Sequence, residues 1–381
     1  MAEVWIWQTI ISPHMAGIAV ALADRGHAVT YLAEQTITTD RVEQGWQIAE
    51  LPGVVFRLVD STAAIEAAVS SAPVDSLHVC QGLRANGLIG HAQHMLRRRG
   101  LRQWAVMETI NDAGLAGMAR AWLYRCLFLR WRNHLQGVLA IGWRTPAWVR
   151  RRGMPGSRIF PFAYFLEHQS ASLPAATRES GPFQVLFVGQ LIARKHLGLL
   201  MDALGTLAGE GYDVNLQVVG TGPLEAGLRE RGQQALGDRI QWSGGLPMAQ
   251  ARAAMQAADC LVLPSRHDGW GAVVSEALMA GTPAIASDAC GSAGVIRASG
   301  VGGVFSSGDM DGLVQQLRRL VQAGKPTAEQ RAELAAWARC LGVEAGAEYL
   351  MQILDHKPDG ADVPLAPWAA TSNQEHSPCV G

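Results

Sequence analysis

Between Phe183 and Leu236 the chain twice runs from an apolar stretch of strand length into a glycine turn and then a helical pattern. FQVLFVGQL precedes GLLMDALGTLAGEG, and VNLQVVGTGP precedes LEAGLRERGQQAL. IQWSG, CLVLPS, PAIAS and GGVF continue the series as strands, separated by the helical segments MAQARAAMQAA, SEALMAG and MDGLVQQLRRLVQAG. Strands that alternate with helices through short Gly/Pro connections form a parallel sheet covered on both faces. Such sheets bind ligands beyond the carboxyl ends of their strands.

The amino half opens the same way. EVWIWQTI leads through SPHMAG into an apolar helix ending near Arg25, with Gly26 as its stop, and then GHAVTYLA. SLHVC, QWAVMET and GVLAIG are further strands, and a long Arg- and Trp-rich helical stretch, LAGMARAWLYRCLFLRWRNHLQG, separates the last two. With 381 residues the chain has room for two α/β domains. The expected division is 1–169, a polar small-residue linker at 170–181, a second domain over 182–354 whose last helices pack back on the first, and a disordered Pro-rich tail at 355–381.

The strand ends of the second half bring chemistry to one sheet edge. After Gly189 and Gln190 come Arg194 and Lys195, cations placed to neutralise a diphosphate beside helix-terminal amides. The turn at Gly222 reads equally as a tight turn. Neither a G-x-G-x-x-G fingerprint nor a P-loop is present, so dinucleotide and nucleoside-triphosphate chemistry are unsupported. Asp268, Gly269, Trp270 and Gly271 lead into a helix that carries Glu276. Each carboxylate accepts hydrogen bonds from paired hydroxyls, as a ribose or hexose offers, while the helix start attracts phosphate. The plainer reading is an acidic residue complementing a helix dipole, against which the two flanking glycines speak.

Over residues 183–310 this half resembles glycosyltransferase family 4, retaining enzymes with the GT-B fold of two Rossmann-like domains facing each other across a cleft. The resemblance rests on Asp268-Gly-Trp-Gly followed by Glu276-Ala-Leu-Met-Ala-Gly-Thr-Pro, on Gly189-Gln-Leu-Ile-Ala-Arg-Lys195, and on Gly220-Thr-Gly-Pro223. It implies that Glu276 holds a nucleotide's ribose, Asp268 the donor sugar's hydroxyls and Lys195 the diphosphate. Gly189, Gln190, Arg194, Gly222, Gly269, Trp270 and Gly271 complete the donor site. Gln190 stands where relatives carry Arg, with Arg194 as its substitute, and Asp268 is one methylene shorter than the usual Glu. The implied reaction moves a hexose from a nucleotide-diphosphate sugar with retention of configuration, with no cofactor and no metal, to a glycan, lipid-linked or small-molecule acceptor in cell-envelope or exopolysaccharide synthesis. Its alternatives are a nucleotide-sugar epimerase of the same fold and a non-catalytic nucleotide-sugar-binding subunit. By the same resemblance the amino half binds the acceptor, with His14, Gly17 and Glu108 on that side. His78 reads as structural, and base contacts are expected near WSGGLP (242–247).

Charge sorts the partners. Residues 1–165 hold 17 Arg and no Lys against 11 acids, whereas the remainder holds 15 basic and 22 acidic residues. A basic half with interleaved Trp and Leu suits an anionic bilayer, while nothing resembles a nucleic-acid motif. Six scattered cysteines, no spanning-length apolar run and an apolar strand beginning at Val4 point to a cytoplasmic protein at the inner face of a membrane.

Overall fold

The structure, a computed structural model, describes residues 2–38, 48–110, 114–167, 180–357 and 363–372. The expected linker lies outside these residues except at Ser180 and Gly181. The chain divides into two compact units, Met1–Glu167 with Leu341–Ala370, and His168–Cys340.

In the first unit β1 (Val4–Gln8), β2 (Val29–Ala33), β3 (Val55–Leu58), β4 (Leu77–Gln81), β5 (Arg102–Glu108), β6 (Gly137–Ile141) and β7 (Ile159–Phe162) make one sheet. Its order is β3-β2-β1-β4-β5-β6-β7, with every pairing parallel. All five residues of β1 and of β2 are buried, the mark of central strands covered on both faces. Trp7 donates its indole N–H to His78 Nδ1 at 3.0 Å, and the Ser76 hydroxyl lies 2.9 Å from Nε2. Burial, then the charge of Arg99, pushes the His78 pKa down to about 3, so this histidine is a neutral core group.

The helix Val343–Asp355 belongs to this first unit. Leu166 N–H donates to the Leu341 carbonyl and Val343 N–H to the Leu166 carbonyl, both at 3.0 Å. Gly17, in the helix Pro13–Asp24, faces Val343: a Cβ there would come 2.8 Å from Val343 Cγ1. The expected disordered tail is corrected in part. Pro367–Ser372 is helical, Ala366 is buried and the Trp368 ring lies 6.2 Å from that of Phe165, because apolar side chains within a polar segment have a core to join.

In the second unit β8 (Phe183–Val188), β9 (Val214–Val219), β10 (Ile240–Gly244), β11 (Cys260–Leu263), β12 (Ala284–Ser287) and β13 (Gly303–Phe305) pair in parallel in the order β10-β9-β8-β11-β12-β13. Beneath the sheet Asp259 accepts the Gln184 N–H at 2.8 Å and meets buried Arg331 at 3.4 Å and Lys325 at 3.7 Å. Arg331 also donates to the Ala258 carbonyl at 2.7 Å, so the cluster ties the starts of β8 and β11 together. Both sheets reverse strand order once, between β1 and β4 and between β8 and β11, where such sheets leave a crevice for ligands.

Candidate active site

The segments that follow β8 and β11 meet at the second sheet's reversal point. Beyond β8 a 3-10 turn spans Ala193–Lys195, and beyond β11 the chain loops from Pro264 to Gly271. Lys195 Nζ donates to Asp268 Oδ2 at 2.7 Å, and the Ser265 hydroxyl donates to the same oxygen at 3.1 Å. Arg194 Nη1 lies 3.3 Å from Asp268 Oδ1 and donates to the His267 carbonyl at 2.9 Å. The Lys195 and Asp268 side chains keep only 13% and 12% of their exposure, whereas Arg194 keeps 43%, so solvent screens the lysine pair far less than the arginine pair.

The turns beside this pair are set by glycine. A Cβ on Gly220 would fall 1.9 Å from the Gly189 carbonyl oxygen, and one on Gly222 would fall 2.7 Å from both the Leu191 nitrogen and oxygen. The two strand-end turns thus touch backbone to backbone. His196, which follows Lys195, holds left-handed dihedrals of 55° and 34° at the start of the helix Leu197–Gly209 and sets its Nε2 3.1 Å from Arg266. Burial and then the charges of Arg266 and Arg231 lower its pKa, leaving it neutral among cations.

The loop after Asp268 opens the helix Ala272–Met279. Gly271 occupies the N-cap at φ 85°; no side chain caps the helix, its first turn holds no acidic residue, and the Val274 N–H already donates to the Gly271 carbonyl at 3.0 Å, which leaves the Ala272 and Val273 amides at the helix start for an anion. Trp270 is buried, its indole N–H donates to Ser275 Oγ at 3.0 Å and its carbonyl accepts the Ser292 N–H at 2.8 Å, so its ring and backbone shape the loop. Gly269 lies under Gly291, whose Cβ would fall 1.9 Å from the Gly269 carbonyl oxygen. Cys290, bridged to Asp268 through the backbone, has a buried thiol whose pKa is pushed up to about 12, which makes it packing rather than a nucleophile.

Glu276 lies further along the same helix, half-buried, and its carboxylate makes no hydrogen bond or ion pair among the described residues. Burial raises its pKa, and the charge of Arg252 opposes that shift in part. Gln190 is exposed. Of the residues singled out in the sequence, then, Arg194, Lys195 and Asp268 are joined directly, with Gly189 beside them: a Cβ on it would lie 3.7 Å from Lys195 Cε. Ser265 and Arg266 belong to the same cluster. Their place in PSRHDG was the available signal, overlooked because hydroxyls and arginines are common in loops.

In the first unit His14 and Glu108 are brought together by Tyr164, which sequence reading passed over. The His14 and Tyr164 rings stack with centroids 4.1 Å apart and planes 5° from parallel, and the Tyr164 hydroxyl donates to Glu108 Oε1. Gly17 serves helix packing against Val343. At this sheet's reversal point the link is neutral: Thr9 donates its N–H and hydroxyl to Gln81 Oε1 at 2.8 and 3.0 Å. Among the described residues no group of three or more His, Cys, Asp or Glu is placed to hold a metal ion, and no helix is long and apolar enough to cross a membrane.

Residues 170–339 match the family model described as glycosyl transferases group 1. The chain is 31% identical over 165 residues to the GDP-mannose-dependent alpha-(1-6)-phosphatidylinositol dimannoside mannosyltransferase of Mycobacterium tuberculosis, a match covering 42% of each chain. It is 38% identical over 113 residues to the 2-deoxystreptamine glucosyltransferase of Streptomyces kanamyceticus, covering 29% of this chain and 28% of that one. These matches therefore span well under half of either relative. Among solved structures, the lipopolysaccharide outer core galactosyltransferase WaaB superposes with a TM-score of 0.69 at 15% identity over 92% of this chain and 100% of that one. Anabaena Alr3699/HepE in complex with UDP gives 0.68 at 15% identity over 93% and 99%. Residues 170–339 are thus similar to the glycosyl transferases group 1, and the chain takes the GT-B fold of two parallel-sheet α/β units.

Proposed function

We propose that this chain transfers a hexose from a nucleotide-diphosphate sugar, with retention of anomeric configuration, to a glycan, lipid-linked or small-molecule acceptor in cell-envelope or exopolysaccharide synthesis. The observation that carries the reading is the convergence of Lys195 and Arg194 on Asp268 beside an uncapped helix start. Departure of the nucleoside diphosphate develops negative charge, and fixed cations with helix amides stabilise it most where water is scarce. Lys195, Arg194 and the amides after Gly271 supply the compensating positive charge in this scheme. Asp268 accepts hydroxyls of the donor sugar, and the Glu276 carboxylate, which makes no hydrogen bond or ion pair among the described residues, those of the ribose. Similarity to a GDP-mannose-dependent mannosyltransferase and to a solved neighbour in complex with UDP supports a nucleotide-sugar donor.

The first unit binds the acceptor in this reading, with His14, Tyr164 and Glu108 at the carboxyl edge of its sheet. The working place is the inner face of an anionic membrane. A thermal-shift panel of nucleoside diphosphates and their sugars tests the donor class. Selective stabilisation by one base, with turnover of the matching labelled sugar, is expected. Lys195→Ala and Glu276→Ala should each remove most of that turnover while keeping the fold; wild-type turnover in both would overturn the assignment.

A further inference from the structure

The helix Gly114–Trp131 has two apolar faces, and the unit's core uses only one. Gly117, Tyr124, Phe128 and Trp131 are buried. Leu115, Met118, Trp122 and Leu129 are exposed at 82%, 60%, 69% and 43%. Steps of three, four and seven residues put these four on a single stripe of an α-helix. At about 100° per residue, Arg125 falls on one margin of the stripe and Arg130 on the other, and both are exposed. The turn after the helix Thr145–Arg151 lies alongside. Arg125 Nη1 reaches the Arg151 carbonyl at 3.5 Å, and a Cβ on Gly153 would fall 3.1 Å from Leu129 Cδ2. That contact adds exposed Arg150 and Arg151 to the same side.

We infer that this stripe enters the headgroup boundary of an anionic lipid bilayer, with the arginines on lipid phosphates. Residues 82–166 carry 14 Arg and no Lys against two acids, so a second copy of the chain would meet like charge across this face. Exposed large apolar side chains rimmed by cations fit an interface with an apolar interior and a negative surface. They fit nucleic acid poorly, since Leu115, Met118 and Leu129 have no base to stack on. A tryptophan at such a stripe is at home at headgroup depth. The inference makes the membrane contact of the proposed function specific, and it does not depend on the donor site.

The test is co-sedimentation of the full chain with vesicles of phosphatidylglycerol and phosphatidylethanolamine, beside vesicles of phosphatidylcholine alone. Binding to the anionic vesicles is expected to exceed that to the neutral ones by about tenfold and to fall steeply as salt rises. A variant with Leu115→Ser, Met118→Ser and Trp122→Ser should lose about tenfold of that binding and keep its melting temperature and any nucleotide-induced shift. Arg125→Glu with Arg130→Glu should weaken anionic binding alone. Absence of wild-type binding at low salt, undiminished binding of the triple variant, or a triple variant that merely turns a dimer into a monomer would each overturn the inference. A nucleotide shift that survives such an outcome leaves the donor reading standing.

Discussion

Lys195 and Asp268 are joined by a 2.7 Å hydrogen bond across the reversal point of the second sheet, between the segments that follow β8 and β11. Each is contributed by a different strand end, so the bond exists only because the sheet sets those strands side by side. In the proposed reading it also places an anion on the cation that the donor's diphosphate would use, so the two would have to part or share that lysine on binding.

From this arrangement follows an asymmetry for Asp268→Asn. The substitution removes a negative charge that competes with phosphate for Lys195 and Arg194, so affinity for a nucleoside diphosphate should rise by about threefold to tenfold. Sugar transfer should fall roughly 100-fold, because the amide is a poorer acceptor for the sugar's hydroxyls. Calorimetry with UDP and GDP, run beside a turnover assay, measures both. Weaker diphosphate binding in the variant would show that Asp268 helps rather than competes.

Glu276 adds a pH dependence of its own. Its folded-state pKa is raised, chiefly by burial, so between the ordinary carboxylate range and that raised value the folded chain holds more proton at this site than the unfolded one. Stability contributed by the protonated form is therefore lost as pH climbs through that window. Glu276→Gln should raise the melting temperature at pH 7 by roughly 1–3 °C, and the gain should vanish near pH 4. Melting curves across pH check this. A variant less stable than wild type at pH 7 would mean that the carboxylate has a partner in the fold.

Much of the second unit was legible in its sequence because central parallel strands are apolar runs and their glycine turns punctuate them. β8, β9, β11 and β12 stand where FQVLFV, VNLQVV, CLVL and AIAS stand. The edges of the first sheet were not. β3 is largely exposed and carries Arg57, so no alternation marks it, and β7 contains Pro161, tolerated because the strand is an edge. At the site, Lys195 and Asp268 were named from residue type and spacing, but their bond depends on two loops 73 residues apart. Tyr164 was invisible for a related reason. It lies past an edge strand in an aromatic run, FPFAYF, that reads as core.

Tyr164 now separates two roles on the proposed acceptor side. Tyr164→Phe keeps the stack on His14 and removes the hydrogen bond to Glu108; Tyr164→Ala removes both. If Glu108 contacts the acceptor, the Phe variant should raise the acceptor KM several-fold, with donor affinity and the melting temperature nearly unchanged, since one such bond is worth about 1 kcal/mol. The Ala variant should also lower kcat by about tenfold. Steady-state kinetics with the acceptor varied at saturating donor decide the matter. A Phe variant with an unaltered KM would confine the Tyr164–Glu108 bond to a structural role.

The glycine turns of the second unit make a prediction that needs no ligand. Gly220 has φ 141°, and its missing Cβ would fall 1.9 Å from the Gly189 carbonyl oxygen, an atom with nowhere to retreat because Gly189 N–H is held by the Val219 carbonyl at 2.9 Å. Gly220→Ala has to push apart the ends of β8 and β9, and should cost about 3 kcal/mol or more. Gly227, in the helix Glu225–Leu236, meets nothing within 4 Å. Gly227→Ala should therefore gain about 0.5–1 kcal/mol through helix propensity. Urea unfolding of both variants, followed on the transition that nucleotide shifts, compares them directly. Equal midpoints would refute the claim that backbone contact between these turns, rather than room for a ligand, is what demands glycine at position 220. The cluster built from Lys195 and Asp268 depends on that contact, since it fixes the strand end from which Lys195 departs.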